Sequence, residues 1–254
     1  MITLGSLFSG SGGFEFAGSL VGIKPIWNAE IEKFPRAVTD VRFPDVKQLG
    51  DVTQINGAEI EPVDIITFGS PCQDLSIAGK QAGIIDGSRS SLFFQAIRII
   101  KEMRKATDNK YPKFAVWENV RGALSSNKGD DFYEVMQAFA SVCEPEISIP
   151  RPKKWEKSGW MDGNGWSVAW RLYDAQYWGV PQRRKRIYCI ADFRENKWGG
   201  LEKYFLSPKA CQGILNRATK RGKILPPILE EALRQQSSKK GGGEKLQHSS
   251  QLYR

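Results

Sequence analysis

Cys72 stands in GSPCQDLS, residues 69–76, directly after a proline and behind the apolar run VDIITF. A thiolate at the end of a buried strand can be a nucleophile or a metal ligand, and a cysteine there can equally be a small buried residue or a reactive surface thiol. Pro71 fixes its own φ and biases Ser70 toward an extended conformation, which stiffens the approach to the thiol. His248 is the only histidine and lies in a polar tail. With no imidazole in the main body, activation of Cys72 falls to backbone, arginine, substrate or cofactor. The four cysteines, at 72, 143, 189 and 211, form neither a CxxC pair nor a close cluster. No metal is therefore expected, and Cys143, Cys189 and Cys211 read as structural.

A second concentration of chemistry lies in FSGSGGFEFAG, residues 8–18. Gly10, Gly12 and Gly13 let a strand-to-helix turn pass closely beneath a ligand, with amide groups free to meet its polar atoms. The spacing differs from the full GxGxxG fingerprint, so the stretch reads either as a seat for a nucleotide-like or adenosyl cofactor or as a structural turn. Glu30 follows the next apolar segment, where a carboxylate can accept hydrogen bonds from a ribose diol. Asp51, in GDVT, is placed to approach the adenine side of the same ligand. Each acid taken alone also reads as an exposed carboxylate or a local cap. No GxxxxGK[ST] accompanies the glycines, which argues against a phosphate-loop NTPase.

The elements that must position these residues alternate in type. ITLGSLF, GIKPIWNAEI, VDIITF and FAVW read as strands, the last ending at Glu118. SGSGGFEFAGSLVG turns into a helix, FPRAVTDVRF is a short helix or connection, and SLFFQAIRIIKEMRK and DFYEVMQAFASVC have helical apolar spacing. The alternation predicts a mostly parallel twisted α/β sheet covered by helices, with the loops beginning near Phe8, Glu30, Gly69 and Glu118 opening at one carboxyl edge. EPEISIPRPKKWEKSGWMDGNG reads as a turn-rich connection to WSVAWRLYD. If that strand and IYCIADF form an antiparallel hairpin, the basic loop between them returns to the same edge; a parallel arrangement would send it to the other. Trp155, Trp160, Trp166 and Trp170 read as base-stacking residues or as core and hairpin packing.

The chain has 254 residues, 41% of them apolar, and a formal charge of +9. The charge favours polyanionic partners. No apolar run approaches membrane-spanning length and the N-terminus lacks a secretory pattern, so a cytoplasmic protein is expected. The pattern divides the chain into a domain over residues 1–193 and a changed segment over 194–254, whose final stretch reads as a flexible tail.

Taken in order, FSGSGG at 8–13, GSPCQDLS at 69–76, DGSRSSLFF at 86–94, ENV at 118–120 and DAQYWGVPQRRKRIY at 174–188 resemble the DNA (cytosine-5)-methyltransferase family of bacterial and bacteriophage type. The resemblance covers roughly residues 3–193. It implies a Rossmann-like fold for S-adenosylmethionine-dependent methyl transfer, with Phe8, Gly10, Gly12, Gly13 and Pro71 around the cofactor, Glu30 on its ribose and Asp51 near its adenine. It implies Cys72 as the nucleophile, Glu118 at the pyrimidine edge, and Arg184 and Arg186 orienting or polarising a cytosine flipped from double-stranded DNA.

After the basic loop the resemblance thins. SPKACQGILNRATKRGK at 207–223 resembles the start of the region preceding target recognition in some bacteriophage-associated members, so 194–254 is expected to be a partial connection to that region. The resemblance implies further catalytic-domain motifs after the recognition region, and a complementary polypeptide supplying them is one expectation. A catalytically inactive nucleic-acid-binding remnant and an RNA cytosine methyltransferase are the others.

Overall fold

The computed structural model describes residues 1–70, 92–194 and 208–222, together with 230, 233, 234 and 237. The chain divides into two compact units, Met1–Glu195 and Asn196–Arg254.

The first unit is built on one sheet of eight strands: β1 (Thr3–Leu7), β2 (Lys24–Ala29), β3 (Lys47–Gln48), β4 (Ile65–Phe68), β5 (Phe114–Val120), β6 (Ser158–Gly163), β7 (Trp166–Asp174) and β8 (Lys185–Asp192). Their spatial order is β3-β2-β1-β4-β5-β8-β7-β6. The first five in that row run parallel, and β8, β7 and β6 join antiparallel. Strand order reverses between β1 and β4, the switch point at which open α/β sheets bind ligands. The helices are α1 (Gly13–Leu20), α2 (Lys33–Arg42), α3 (Leu92–Ala106) and α4 (Asp130–Ala140).

Apolar alternation explains which faces are covered. Helix α3 buries Phe93, Ala96, Ile97, Ile99, Ile100 and Met103, and α4 buries Phe132, Val135, Met136 and Phe139. Between them and the sheet runs an aromatic core in which Phe93 meets Phe68, Trp117 and Phe139, while Phe132 meets Trp155 and Trp170. Trp155, Trp166 and Trp170 are thus packing residues, whereas Trp160 is exposed. Cys189 is buried, and burial pushes its thiol well above the ordinary range.

At the amino-terminal edge, Asp64 ties three strands together. Its carboxylate accepts from the Thr3 amide and hydroxyl at 2.9 and 3.0 Å and from Lys113 Nζ at 2.7 Å. Burial works against the charge, but the Lys113 bond and the Thr3 donors outweigh it and hold the Asp64 carboxyl below its ordinary value.

Three strands differ from the sequence reading, one being the two-residue β3 beside β2, which it did not include. β5 does not end at Glu118 but continues to Val120, because β8 pairs with it through Glu118↔Tyr188, Asn119↔Ile187 and Val120↔Arg186. The turn-rich stretch before Trp166 contains β6, an exposed edge strand without apolar alternation. Its register is set by β7: Gly159 lies opposite Trp170, and a Cβ on Gly159 would collide with that indole. The predicted hairpin of WSVAWRLYD and IYCIADF is present as β7 and β8.

In the second unit, α5 (Pro208–Lys220) carries Cys211 and Leu215, which are buried together with Leu233. The polar tail beyond 237, including His248, lies outside the described residues. No helix among the described residues is long and apolar enough to cross a membrane.

Candidate active site

Strand register alone brings the predicted site together. Leu7 pairs with Ala29 on one side and Phe68 on the other, and Phe68 pairs with Trp117. The next residues in the four strands are Glu30, Phe8, Gly69 and Glu118. They form one row along the carboxyl edge. With neighbouring strands about 4.8 Å apart, Glu30 and Glu118 stand about 15 Å from each other across three gaps, with Phe8 and Gly69 between them.

One half of the row belongs to the glycine turn. Phe8 has φ 54°, a left-handed conformation that a bulky residue adopts only at a cost of about 1–3 kcal/mol and that concentrates at functional sites. Gly10 follows at φ 53° and Gly12 at φ 85°. The Glu30 carboxylate spans this turn, accepting from Gly10 N at 2.8 Å and from the amides of Ile31 and Glu32 at 2.9 and 3.0 Å. Three of its roughly four acceptor positions are taken by backbone. Phe8, Glu30, Gly50, Asp51, Val52 and Leu92 line one cleft. Asp51 also caps its own short 3-10 turn by accepting from Thr53 N at 2.9 Å.

The glycines divide by surroundings. Among the described residues, a Cβ on Gly10 or Gly13 would meet no atom within 4 Å beyond its own local chain, whereas one on Gly12 would lie 2.7 Å from the Phe43 ring. Gly12 is therefore demanded by packing against the chain just after α2, and Gly10 and Gly13 face open space. An adenosyl ligand fits this donor set: a carboxylate at the end of β2, a second acid in the same cleft and glycines that leave room beside the turn. Beneath it, Glu15 of α1 is fully buried, with neither carboxylate oxygen in hydrogen-bonding geometry with a described residue. Burial pushes its pKa up, and the pull of its own backbone, Asn28 and Ser6 offsets this only in part.

The other half of the row is built on β4, β5 and β8. Arg186 Nε lies 2.9 Å from Glu118 Oε1, with both side chains about one-fifth exposed. A Cβ on Gly69 would stand 3.2 Å from Glu118 Oε2, so a glycine there lets the carboxylate approach the end of β4. Ser70 is held from β5: its Oγ accepts from Trp117 Nε1 at 3.1 Å and its carbonyl from Asn119 Nδ2 at 3.2 Å. The chain is thus anchored against β5 immediately before Pro71 and Cys72, both of which lie outside the described residues.

The basic loop reaches this edge, because Val120, the last residue of β5, pairs with Arg186 near the start of β8. Arg184 is exposed, and its carbonyl accepts from Ala175 N across the loop base. Tyr188, which sequence reasoning did not single out, faces Glu118 across the ladder. Burial raises its phenol pKa, Glu118 raises it further, and Arg184 and Arg186 pull it back. The signal was available: in RIYCIAD the alternation places Arg186 and Tyr188 on one face, opposite the buried Ile187 and Cys189.

Comparison with known proteins agrees with this architecture. The family model described as C-5 cytosine-specific DNA methylase matches residues 2–143 and 159–251. A protein of Escherichia phage P1 named DNA N-6-adenine-methyltransferase is 36% identical over 219 residues, covering 75% of this chain and 28% of that protein. Type II methyltransferase M.HhaI of Haemophilus parahaemolyticus is 33% identical over 184 residues, covering 72% of this chain and 47% of that one. The chain therefore spans less than half the length of either relative. A prophage-encoded protein of Escherichia coli, solved as a candidate DNA modification methyltransferase, shares the fold with a TM-score of 0.52 at 21% identity, over 76% of this chain and 47% of that one. The fold is the Rossmann-like one of S-adenosylmethionine-dependent methyltransferases, and the chain belongs to the C-5 cytosine-specific DNA methylase family.

Proposed function

We propose that residues 1–193 form the catalytic and cofactor-binding part of a DNA cytosine-5 methyltransferase, with 194–254 beginning the connection to a recognition region. The observation that carries this reading is the row of Glu30, Phe8, Gly69 and Glu118 along one sheet edge. When bound, S-adenosylmethionine supplies an electrophilic methyl group.

The chain's own residues make a cytosine able to take it. The Cys72 thiolate adds to carbon 6, which raises electron density at carbon 5. Glu118 meets the ring-nitrogen edge, with Arg186 holding the carboxylate in place at 2.9 Å. Arg184 and Arg186 set positive charge where negative charge develops on the base carbonyl. After methyl transfer, carbon 5 loses its proton, Cys72 is expelled and aromaticity returns. Glu30 and Asp51 hold the adenosyl portion, and Phe8, Gly10, Gly12, Gly13 and Pro71 surround it. Duplex DNA is the substrate, with the cytosine extruded at a cost of a few kcal/mol. The protein then works in the cytoplasm, where such DNA is accessible.

A second reading follows from the phage P1 relative's name: transfer to an exocyclic adenine nitrogen. That chemistry uses no thiolate adduct, so the Cys72 loop favours cytosine. The test is transfer of labelled methyl from S-adenosylmethionine to duplex DNA, followed by nucleoside analysis. We expect 5-methylcytosine and its loss in Cys72→Ala; N6-methyladenine from either protein would overturn the proposal.

A complementary polypeptide is part of the proposal. Helix α1 exposes Phe16 and Leu20, and α2 exposes Phe34 and Val41, each residue being between 52% and 83% exposed. These apolar faces flank the glycine turn and suit a covering segment. If transfer requires a second fragment of a longer relative, adding it should restore activity without changing the product.

A further inference from the structure

We infer that the turn Ala175–Trp178 is an aromatic ledge on which an unpaired nucleobase stacks, at a place separate from the base met by Glu118. The inference rests on the proposed nucleic-acid substrate. Tyr177 is 80% exposed and Trp178 69%, which is unusual for two large rings side by side. The turn that carries them is fixed at both ends. Asp174 accepts from Gln176 Nε2 at 2.9 Å and from Gln176 N at 3.4 Å, and Gly179, at φ 81°, ends the turn. Trp178 meets Tyr173 edge-on at 5.7 Å, Tyr173 meets Tyr188 at 5.9 Å, and the Arg171 guanidinium sits 5.4 Å from the Tyr173 ring.

These contacts form a series of rings from Trp178 back to the candidate active site. Tyr173 pairs with Arg186 and Tyr188 with Glu118, so all four side chains share one face of the sheet. Charge selects the occupant. From Ala175 to Ala191 there is no acidic residue, while Arg183, Arg184, Lys185 and Arg186 follow the ledge directly. A surface combining cationic side chains with exposed rings suits a polynucleotide, whose phosphates meet the arginines while a base covers the ring. Within a paired duplex the base faces are already stacked, so the ledge acts on a base that has lost its neighbour. Extrusion of a cytosine creates that condition.

The test is fluorescence-anisotropy titration of the full chain with a labelled single strand and with its duplex, across a range of salt. Trp178→Ala should weaken single-strand binding about tenfold or more with an unchanged salt slope. Trp178→Phe should restore most of the affinity, and Arg183→Gln should reduce the slope by about one. Affinity within twofold of wild type in a folded Trp178→Ala protein overturns the ledge. So does a changed oligomeric state without a change in nucleic-acid affinity, which would assign the rings to a protein contact. Weakened binding by Trp178→Ala in a chain that transfers no methyl group even with the second fragment added upholds the ledge and rejects the catalytic proposal. Failure of the wild-type chain to bind either nucleic acid rejects both.

Discussion

Arg186 reaches Glu118 diagonally across an antiparallel ladder, Nε to Oε1 at 2.9 Å, although 67 intervening residues separate them. The contact ties the basic loop to the strand that ends the row, so the arginine positions the acid, and under the proposed function it also faces the base. Glu118→Gln and Arg186→Ala should each reduce methyl transfer by about 10²–10³-fold. The double variant should lose far less than the product of the two, as a double-mutant cycle on kcat would show. Because both side chains are partly exposed, thermal stability should change by less than about 1 kcal/mol.

Asp64 serves the opposite edge. Its folded carboxyl lies below the ordinary value of 3.8, so its contribution is present above that pH and is lost as pH falls through the folded pKa. Asp64→Asn should cost about 2 kcal/mol at pH 7, measured by urea unfolding, and should flatten the acid limb of the stability curve. An unchanged limb would show that this anchor does not govern acid unfolding.

Glu15 acts with the reverse sign. Its folded pKa is raised above 4.5, so the penalty of a buried carboxylate is absent below that pH, grows as pH rises toward the folded pKa and is complete above it. Glu15→Gln should therefore gain stability relative to wild type as pH increases from 4.5, with no gain below it. Parallel unfolding curves for the two proteins across this range would contradict the assignment.

The glycines give separable effects. Gly12→Ala places a methyl group against Phe43 at a left-handed position and should lower stability by about 1–3 kcal/mol. Gly13→Ala meets open space at the first position of α1 and should leave the melting temperature within a few degrees of wild type while weakening S-adenosylmethionine binding by calorimetry. Equal loss of stability in both would remove the distinction.

Much of this arrangement was legible because period and punctuation agree. The apolar runs ITLGSLF, GIKPIWNAEI and VDIITF each end at or just before a glycine turn or an acid, and a parallel sheet aligns such ends without further information. What escaped was set by partners distant in the chain. SGWMDG has no strand pattern of its own and pairs because β7 offers an edge and Gly159 leaves room for Trp170. The two extra residues of β5 depend on β8, and the packing duty of Gly12 depends on Phe43. Trp117 read as a strand residue and Asn119 as part of the loop after it, yet both fasten Ser70 just before Pro71 and Cys72.

The most direct test is covalent capture on duplex DNA carrying 5-fluorocytosine at the target position, with S-adenosylmethionine and any required second fragment present. Fluorine cannot leave carbon 5 as a proton does, so the account predicts a denaturation-resistant protein–DNA adduct through Cys72 that is absent in Cys72→Ala. Turnover to 5-methylcytosine on ordinary DNA with no adduct on the fluorinated strand, or an adduct that survives loss of Cys72, would contradict it.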